Sequence, residues 1–511
     1  MKIKQMSLNI IANFFSVTIS LGISFILTPY IVQSLGKEAY SFVPISNNFT
    51  SYMAILTIAM TSMSGRFITF KVHSNDIKSA NDYYSTSFFA NLLIAGIVSI
   101  ISIFIIFNLD KLINIPKNIF SDVKLLFIIM FMSFVLNVST TIFSTSTFCM
   151  NRLDISSFVS IIGSILRVIV IVITFIFLKP KIYFIGLSAF IVILIQGVLN
   201  YNYSKKIMPS LKISYRNFQK KIVKELISSG IWNSFNQLST ILLTGLDLLV
   251  ANLILGVSAS GMLAIAKTAP MALQSLITVV PSTFSPYLTI LFAKGNKKDF
   301  IDKLQLILKF SALLTGIPIA GFIVLSPYFF QLWIPTIAGT EITTLAILTM
   351  ISMIASFSVM PLIYVFTITN RLKWLSISIF FSGILSLIIV FILIKSTNLG
   401  LYAIAGVSSI LEIFRCLVFI PVYSAHCLNE KKSVFFPTIK ISMIYIGILS
   451  LVYFLITTII STSSWLFILF SALVMGILGI IIGFILIFNS GEKKLIILYI
   501  IKNFENHFKK E

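Results

Sequence analysis

The chain has 511 residues, 58% of them hydrophobic and only 11% charged, and a formal net charge of +22. Soluble domains carry about 25% charged residues, so this composition excludes a soluble globular protein and points to a polytopic membrane protein. A net charge this basic would suit nucleic acid, but its distribution along the chain, described below, argues against that partner.

Apolar runs long enough to span a bilayer, about 20 residues each, recur from end to end. In chain order they fall at 8–32, 41–64, 83–108, 123–148, 155–178, 182–203, 227–255, 260–292, 304–327, 342–367, 374–394, 401–424, 437–460 and 464–488, which predicts fourteen spans. The first follows Lys2 and Lys4 but is too long for a signal-peptide core, so it is expected to stay in the mature protein. The second is interrupted by Pro44, Asn47 and Asn48. In the fifth, Arg167 has no acidic residue on its own helix; such a residue faces a water-filled cavity or an anionic ligand, and its planar guanidinium suits phosphate or pyrophosphate.

A basic linker follows the sixth span. Within it Phe218, Ile222 and Leu226 recur at i+4 opposite Lys220, Lys221 and Lys224, a spacing that fits an interfacial amphipathic helix or a solvated loop equally well. The seventh span carries Asn233, Asn236, Gln237, Thr240, Thr244 and Asp247 on one helix face. A carboxylate at the bilayer centre costs about 2.5–3.5 kcal/mol, so the stripe is expected to line a cavity rather than face lipid. Lys267, in the eighth span, lies at a depth that allows it to pair with Asp247. Pro270, Pro281 and Pro286 break the regularity of that span, and Glu412 and Arg415 at i, i+3 in the twelfth read as a structural pair. In the tail, Ile497, Ile501, Phe504 and Phe508 suggest a second interfacial helix.

The chain repeats itself at an offset of 219 or 220 residues. Asn9, Asn13, Ser16, Ser20 and Ser24 fall on Ser229, Asn233, Asn236, Thr240 and Thr244, and Leu35-Gly36 falls on Leu255-Gly256. Asn151-Arg152-Leu153 falls on Asn370-Arg371-Leu372, and Tyr183-x-Ile185 on Tyr402-x-Ile404. Six spans per repeat insert with the same orientation, which predicts two parallel repeats with the substrate path between them. Asn13, Ser16 and Ser20 thereby join the seventh-span stripe as candidate path residues. The expected organisation is an N-lobe at 1–204, a cytoplasmic linker at 205–226, a C-lobe at 227–425, two extra spans at 426–490 and a basic tail at 491–511.

Of the 38 lysines and arginines, 26 lie in the termini and the alternate loops on their side, and 6 on the opposite side. This asymmetry predicts cytoplasmic termini, with contact to anionic lipid headgroups as a secondary role of the basic residues. The outward acids are Glu38, Asp110, Asp122 and Glu341, without pairing or motif, and no phosphate-binding loop is present, so no enzyme is expected. Cys149, Cys416 and Cys427 lack redox or zinc spacing and read as small apolar residues; the three histidines form no metal cluster.

The order of the short motifs is recognisable. Asn9-x-x-x-Asn13 with Thr28-Pro29 and Leu35-Gly36, Ser64-Gly65-Arg66, Asn151-Arg152, Asp247 followed by Gly256, Gly261 and Lys267, and Pro286 with Ala293-Lys294-Gly295 resemble the polysaccharide-transport branch of the multidrug/oligosaccharidyl-lipid/polysaccharide flippase superfamily. Met262 departs from the pattern, since many relatives have tyrosine there. The resemblance implies an all-α bundle of two six-helix lobes around a central cavity, alternating between inward-open and outward-open states. It implies a bacterial inner-membrane flippase for an undecaprenyl-pyrophosphate-linked oligosaccharide, working beside a polysaccharide polymerase and assembly proteins in O-antigen or capsule synthesis. Arg167 and Lys267 would then attract pyrophosphate or acidic sugars, and the Asn/Gln/Thr stripe would contact sugar hydroxyls. Asp247 would pair with Lys267 or couple transport to a proton or sodium gradient; no cofactor is expected. A cation-coupled multidrug exporter and an integral-membrane polymerase or glycosyltransferase are the alternatives. The first should favour acidic cavity residues, and the second needs a large outward loop with paired carboxylates.

Overall fold

The computed structural model describes residues 3–282, 284–293, 296–369, 371–459 and 464–494. The tail helix expected around Ile497–Phe508, and Asn370, Lys294 and Gly295 of the sequence motifs, lie outside the described residues. Those described form an all-helical membrane protein without a strand. The helices are α1 (Ile3–His73), α2 (Ile77–Phe107), α3 (Phe120–Thr140), α4 (Leu153–Phe177), α5 (Tyr183–Ile207), α6 (Lys220–Thr240), α7 (Asp247–Val250) and α8 (Val257–Ser282). They continue as α9 (Ser285–Ala293), α10 (Lys297–Trp333), α11 (Thr340–Ile368), α12 (Leu372–Ser396), α13 (Leu401–Phe414), α14 (Ile420–Cys427), α15 (Phe436–Ile459) and α16 (Trp465–Ile487).

Among the described residues, 11 helices are long and apolar enough to cross a membrane, or 12 with the bent segment from Lys220 to Leu255. One of the 11 is a 63-residue stretch of α1, which at 1.5 Å per residue is about 95 Å long, roughly twice a whole bilayer. It is two passages joined at Gly36, which with the bent segment brings the passages among the described residues to 13, and the 26-residue α8 is long enough for one more. The run 41–64, with Pro44, Asn47 and Asn48, is helical throughout.

The hairpin tips explain two glycines. Gly36 has φ 82° and ψ 161°, and Gly256, 220 positions on, has φ 96° and ψ 174°. Both sit in a region essentially reserved for glycine, so the repeat visible in the sequence is matched in backbone geometry. Gly36→Ala and Gly256→Ala are each expected to lower stability by about 1–3 kcal/mol. Thermal unfolding in detergent measures this, and an unchanged midpoint at either site would remove the argument there.

At the basic ends of the bundle asparagine does comparable work. Asn75, Asn151 and Asn429 have φ of 59°, 54° and 51°. Each closes a helix by a paired return of backbone N–H groups, as in Asn151 N to Phe148 O (3.0 Å) with Arg152 N to Thr147 O (2.8 Å).

The chain forms two compact units, one of Met1–Ala269 with Ser376–Ser408, the other of Pro270–Leu375 with Ser409–Glu511. In the first, the linker is not a separate amphipathic helix. The chain runs irregularly from Met208 to Gln219, with one short turn at Tyr215–Asn217, and α6 then starts at Lys220. Polar groups of the start of α2 hold this stretch: Asn81 and Ser85 bind the backbone around Lys212, and Thr86 bonds Asn217 O and Gln219 N. Ile222 and Leu226 therefore pack into a buried cluster with Met60, Ile68, Tyr83 and Tyr84 instead of onto lipid. In the second unit the two extra spans, α15 and α16, cover α10. Tyr445 donates to Gly479 O at 3.0 Å, and buried Lys309 pairs with Glu492 at 2.8 Å.

Candidate functional site

The first unit holds the structural irregularities that concentrate polar chemistry. The segment from Lys220 to Leu255 is bent by 40° after Gly245. The four-residue α7, which begins at Asp247, lies between two π-helical turns, Ile241–Gly245 and Ala251–Leu255. A π turn widens the helix and takes carbonyls out of the usual ladder, and such turns cluster at functional positions. Gly245 O accepts from Asn48 Nδ2 (3.1 Å) and from Tyr52 Oη (2.8 Å), while Leu248 O accepts from Ser260 Oγ (3.1 Å). These side chains satisfy the carbonyls that the irregular helix leaves over.

Asp247 and Lys267 form the expected ion pair, with side chains 11% and 12% exposed. Each charge alone would be expensive at this burial, and together they neutralise each other.

Arg167 is placed differently. It lines a cavity of about 160 Å³ with Ser24, Thr28, Tyr40, Asn47 and Thr268, and among the described residues it is the only charged side chain there. The hydroxyls of Ser24, Thr28 and Thr268 donate to carbonyls of their own helices. Arg167 Nε is buried without a hydrogen-bond partner. An unsatisfied buried donor costs about 1–3 kcal/mol, more when charged, and an acceptor entering the cavity would relieve it. The volume lies below the roughly 300–1,000 Å³ of sites that hold whole small molecules, so it suits a compact anionic group rather than a sugar chain.

The stripe is divided in use. Asn233 Nδ2 donates to Ser62 Oγ at 3.0 Å and Asn236 Oδ1 accepts from Ser376 Oγ at 3.5 Å, tying α6 to α1 and α12. Gln237 is half-buried, and Thr240 and Thr244 are exposed with their hydroxyls donated to the preceding turn. On α1, Asn13 is exposed, Ser16 is buried, and Ser20 Oγ lies 2.8 Å from Ser164 Oγ, one helical turn before Arg167. Asn9 does not line the cavity: it holds the Asn151 turn, bonding Asn151 O (2.9 Å) and Asp154 N (3.1 Å). The structure thus joins Asp247 to Lys267 and puts Arg167 beside Thr268, the next residue. Tyr40, Tyr52 and Thr268 were not singled out by the sequence, and Asn47 and Asn48 only as interruptions of the second span. For Tyr40 and Asn47 the signal was there in the i, i+3, i+4, i+7 spacing of Tyr40, Val43, Pro44 and Asn47 along one helix face.

In the second unit Glu412 and Arg415 pair as expected at the start of a π turn, Arg415–Phe419, and Ser356 Oγ reaches Glu412 at 3.4 Å. Cys149, Cys416 and Cys427 are buried and free.

A family model described as polysaccharide biosynthesis protein matches residues 7–292, more than half of the chain and the part that contains Arg167, Asp247 and Lys267. The chain belongs to the polysaccharide biosynthesis protein family. Across 96% of its length it is 29% identical to the uncharacterized membrane protein EpsK of Bacillus subtilis (strain 168), covering 97% of that protein. Two solved structures share its fold. One is a multidrug resistance MATE family transporter of the MOP superfamily in its inward-facing conformation, with 14% identity, a TM-score of 0.67, and coverage of 81% of this chain and 94% of that one. The other is the lipid II flippase MurJ in an inward closed conformation, with 16% identity, a TM-score of 0.65, and coverage of 93% and 97%. As a member of the polysaccharide biosynthesis protein family, the chain is a multi-pass membrane protein.

Proposed function

We propose that this family member is a flippase that moves an undecaprenyl-pyrophosphate-linked oligosaccharide from the inner to the outer leaflet of a bacterial cytoplasmic membrane, with both termini cytoplasmic. The observation that carries the reading is Arg167, a half-buried side chain whose Nε is buried and unpartnered, in a small cavity with no other charged residue in its described lining. A guanidinium fork matches the oxygens of a phosphate, and the cavity admits one such group while the sugars stay outside it. Family membership and the fold shared with a lipid II flippase support the same reading. Arg167 would hold pyrophosphate, Lys267 would add positive charge to the approach once Asp247 takes up a proton, and Thr240, Thr244, Gln237, Asn233 and Asn236 with Asn13, Ser16 and Ser20 would contact sugar hydroxyls. Asp247 is the group through which a proton or sodium gradient would act, and the product would pass to a polymerase and assembly proteins. The chain itself performs no bond chemistry in this reading.

The fold shared with a multidrug transporter favours export of cationic drugs as the second reading. A lone cation in the cavity repels such substrates. The deciding experiment follows radiolabelled lipid-linked oligosaccharide across the membrane of cells depleted of the protein. The wild-type chain should restore outward movement, Arg167→Ala at equal expression should not, and Arg167→Lys should restore part of it. Undiminished movement with Arg167→Ala would remove that residue from the site. Normal sidedness after depletion, with new sensitivity to cationic drugs, would favour the exporter.

A further inference from the structure

A second cavity in the first unit has a different character. It measures about 590 Å³ and is lined by Met150, Arg152, Ile155, Tyr203, Lys206 and Ile207, between the start of α4 and the end of α5. Lys205 precedes Lys206 in the last turn of α5, and Arg66 and Lys71 lie near the C-terminal end of α1. Arg152 is held in place: its Nε and Nη2 grip both oxygens of Asp154 at 3.0–3.3 Å, and Asp154 also accepts from Gln5 at 2.9 Å. The side chain nevertheless stays 45% exposed. Lys206 is exposed and has no ion-pair partner among the described residues. The cavity therefore has a net positive wall. Its other wall is apolar, and Met150, Leu153, Phe158 and Tyr201 on the same helix ends are exposed. On spanning helices such groups meet acyl chains, and a lysine or arginine beside them reaches the headgroup layer.

We propose that this cavity binds the phosphate headgroup of an anionic phospholipid of the basic-side leaflet, with Arg152 and Lys206 on the phosphate, Tyr203 at the interface and Met150, Ile155 and Ile207 along the first carbons of the chains. The volume of about 590 Å³ falls within the range of sites that hold whole small molecules, enough for a headgroup with the first carbons of its chains. The site is separate from the Arg167 cavity: the two share no lining residue. Charge complementarity selects the occupant, because a zwitterionic headgroup brings its own cation to a wall where Lys206 is already a cation in excess of the Arg152–Asp154 pair.

The test uses the full-length protein purified in neutral detergent, with dioleoyl-phosphatidylglycerol, dioleoyl-phosphatidylcholine or inorganic phosphate added. Native mass spectrometry counts retained lipid, and thermal unfolding reads stabilisation. Phosphatidylglycerol should be retained and should raise the midpoint, whereas phosphatidylcholine and inorganic phosphate should not. Lys206→Gln should weaken phosphatidylglycerol retention about fivefold, and Arg152→Gln with Lys206→Gln should abolish the preference over phosphatidylcholine. Lys298→Gln with Lys303→Gln, an equal charge change in the second unit, should leave it intact. Because Lys206 bonds nothing that the fold needs, the single variant remains informative if the double variant does not fold. Equal retention by Lys206→Gln and wild type would overturn the proposal. Stabilisation by inorganic phosphate equal to that by phosphatidylglycerol would overturn the lipid as its source.

Discussion

Lys267→Met is expected to lower the unfolding free energy by about 3–5 kcal/mol, and Asp247→Asn combined with Lys267→Met to recover most of that loss. Both side chains are about nine-tenths buried and they form an ion pair, so removing the ammonium leaves a carboxylate with no counter-charge. The remaining neighbours do not replace it. Tyr52 and Asn48 donate to Gly245 O, and Ser260 donates to Leu248 O, so these donors are already in use. An Asn–Met pair removes both charges at similar volume and leaves only an amide to satisfy. Chemical or thermal unfolding in detergent measures the three variants. A double variant as unstable as Lys267→Met would show that the carboxylate was not the source of the cost. Stability alone does not place the pair on the transport path; the double variant does, when transport is measured beside it. A chain as stable as wild type that no longer moves substrate would give the pair a role in transport, and full transport would leave it a clasp across α7 and α8.

Much of this was legible in the sequence because membrane helices expose their logic. Length and hydropathy locate the spans, and an intramembrane charge has few affordable partners, so Asp247 and Lys267 could be paired by depth alone. Leu35-Gly36 and Leu255-Gly256 marked the two hairpin tips, whose glycines share an otherwise forbidden conformation. What stayed hidden depends on how helices pack. The Arg167 cavity draws Tyr40, Asn47 and Thr268 from helices distant in sequence, and no spacing rule joins them to α4. The π turns on either side of Asp247 arise where side chains from other helices capture loose carbonyls, which a single-helix pattern does not encode. For the linker the spacing fits an interfacial helix and a solvated loop equally well, and only packing decides. Phe218, Ile222 and Leu226 have the period of an interfacial helix, but the apolar face of Ile222 and Leu226 meets α1 and α2 instead of the membrane.

Gly230→Ala is expected to lower stability by about 3 kcal/mol or more, the largest loss for any single added methyl group in the first unit. A Cβ at this position would lie 1.9 Å from Ala59 O, 2.6 Å from Ala59 C and 2.8 Å from Ala59 Cα. The obstacle is backbone, which cannot swing aside like the tip of a long side chain, so α6 and α1 must move apart. Overpacking commonly costs about 1–3 kcal/mol. Here the separation also stretches the bonds on either side, Ser234 Oγ to Ile55 O at 2.8 Å and Asn233 Nδ2 to Ser62 Oγ at 3.0 Å, each worth about 0.6 kcal/mol between membrane helices. Ala59→Gly should not rescue the variant, because the clash is with the Ala59 carbonyl rather than its methyl. Ser234→Ala alone should cost only the small hydrogen-bond increment. Thermal unfolding in detergent separates these outcomes, and a Gly230→Ala midpoint equal to wild type would mean that the helices are not in backbone contact. Lipid chains are as apolar as leucine, so helices inside a bilayer gain little from burying apolar surface against one another. Close backbone approach supplies the attraction instead, and at Gly230 one hydrogen in place of a methyl group permits it.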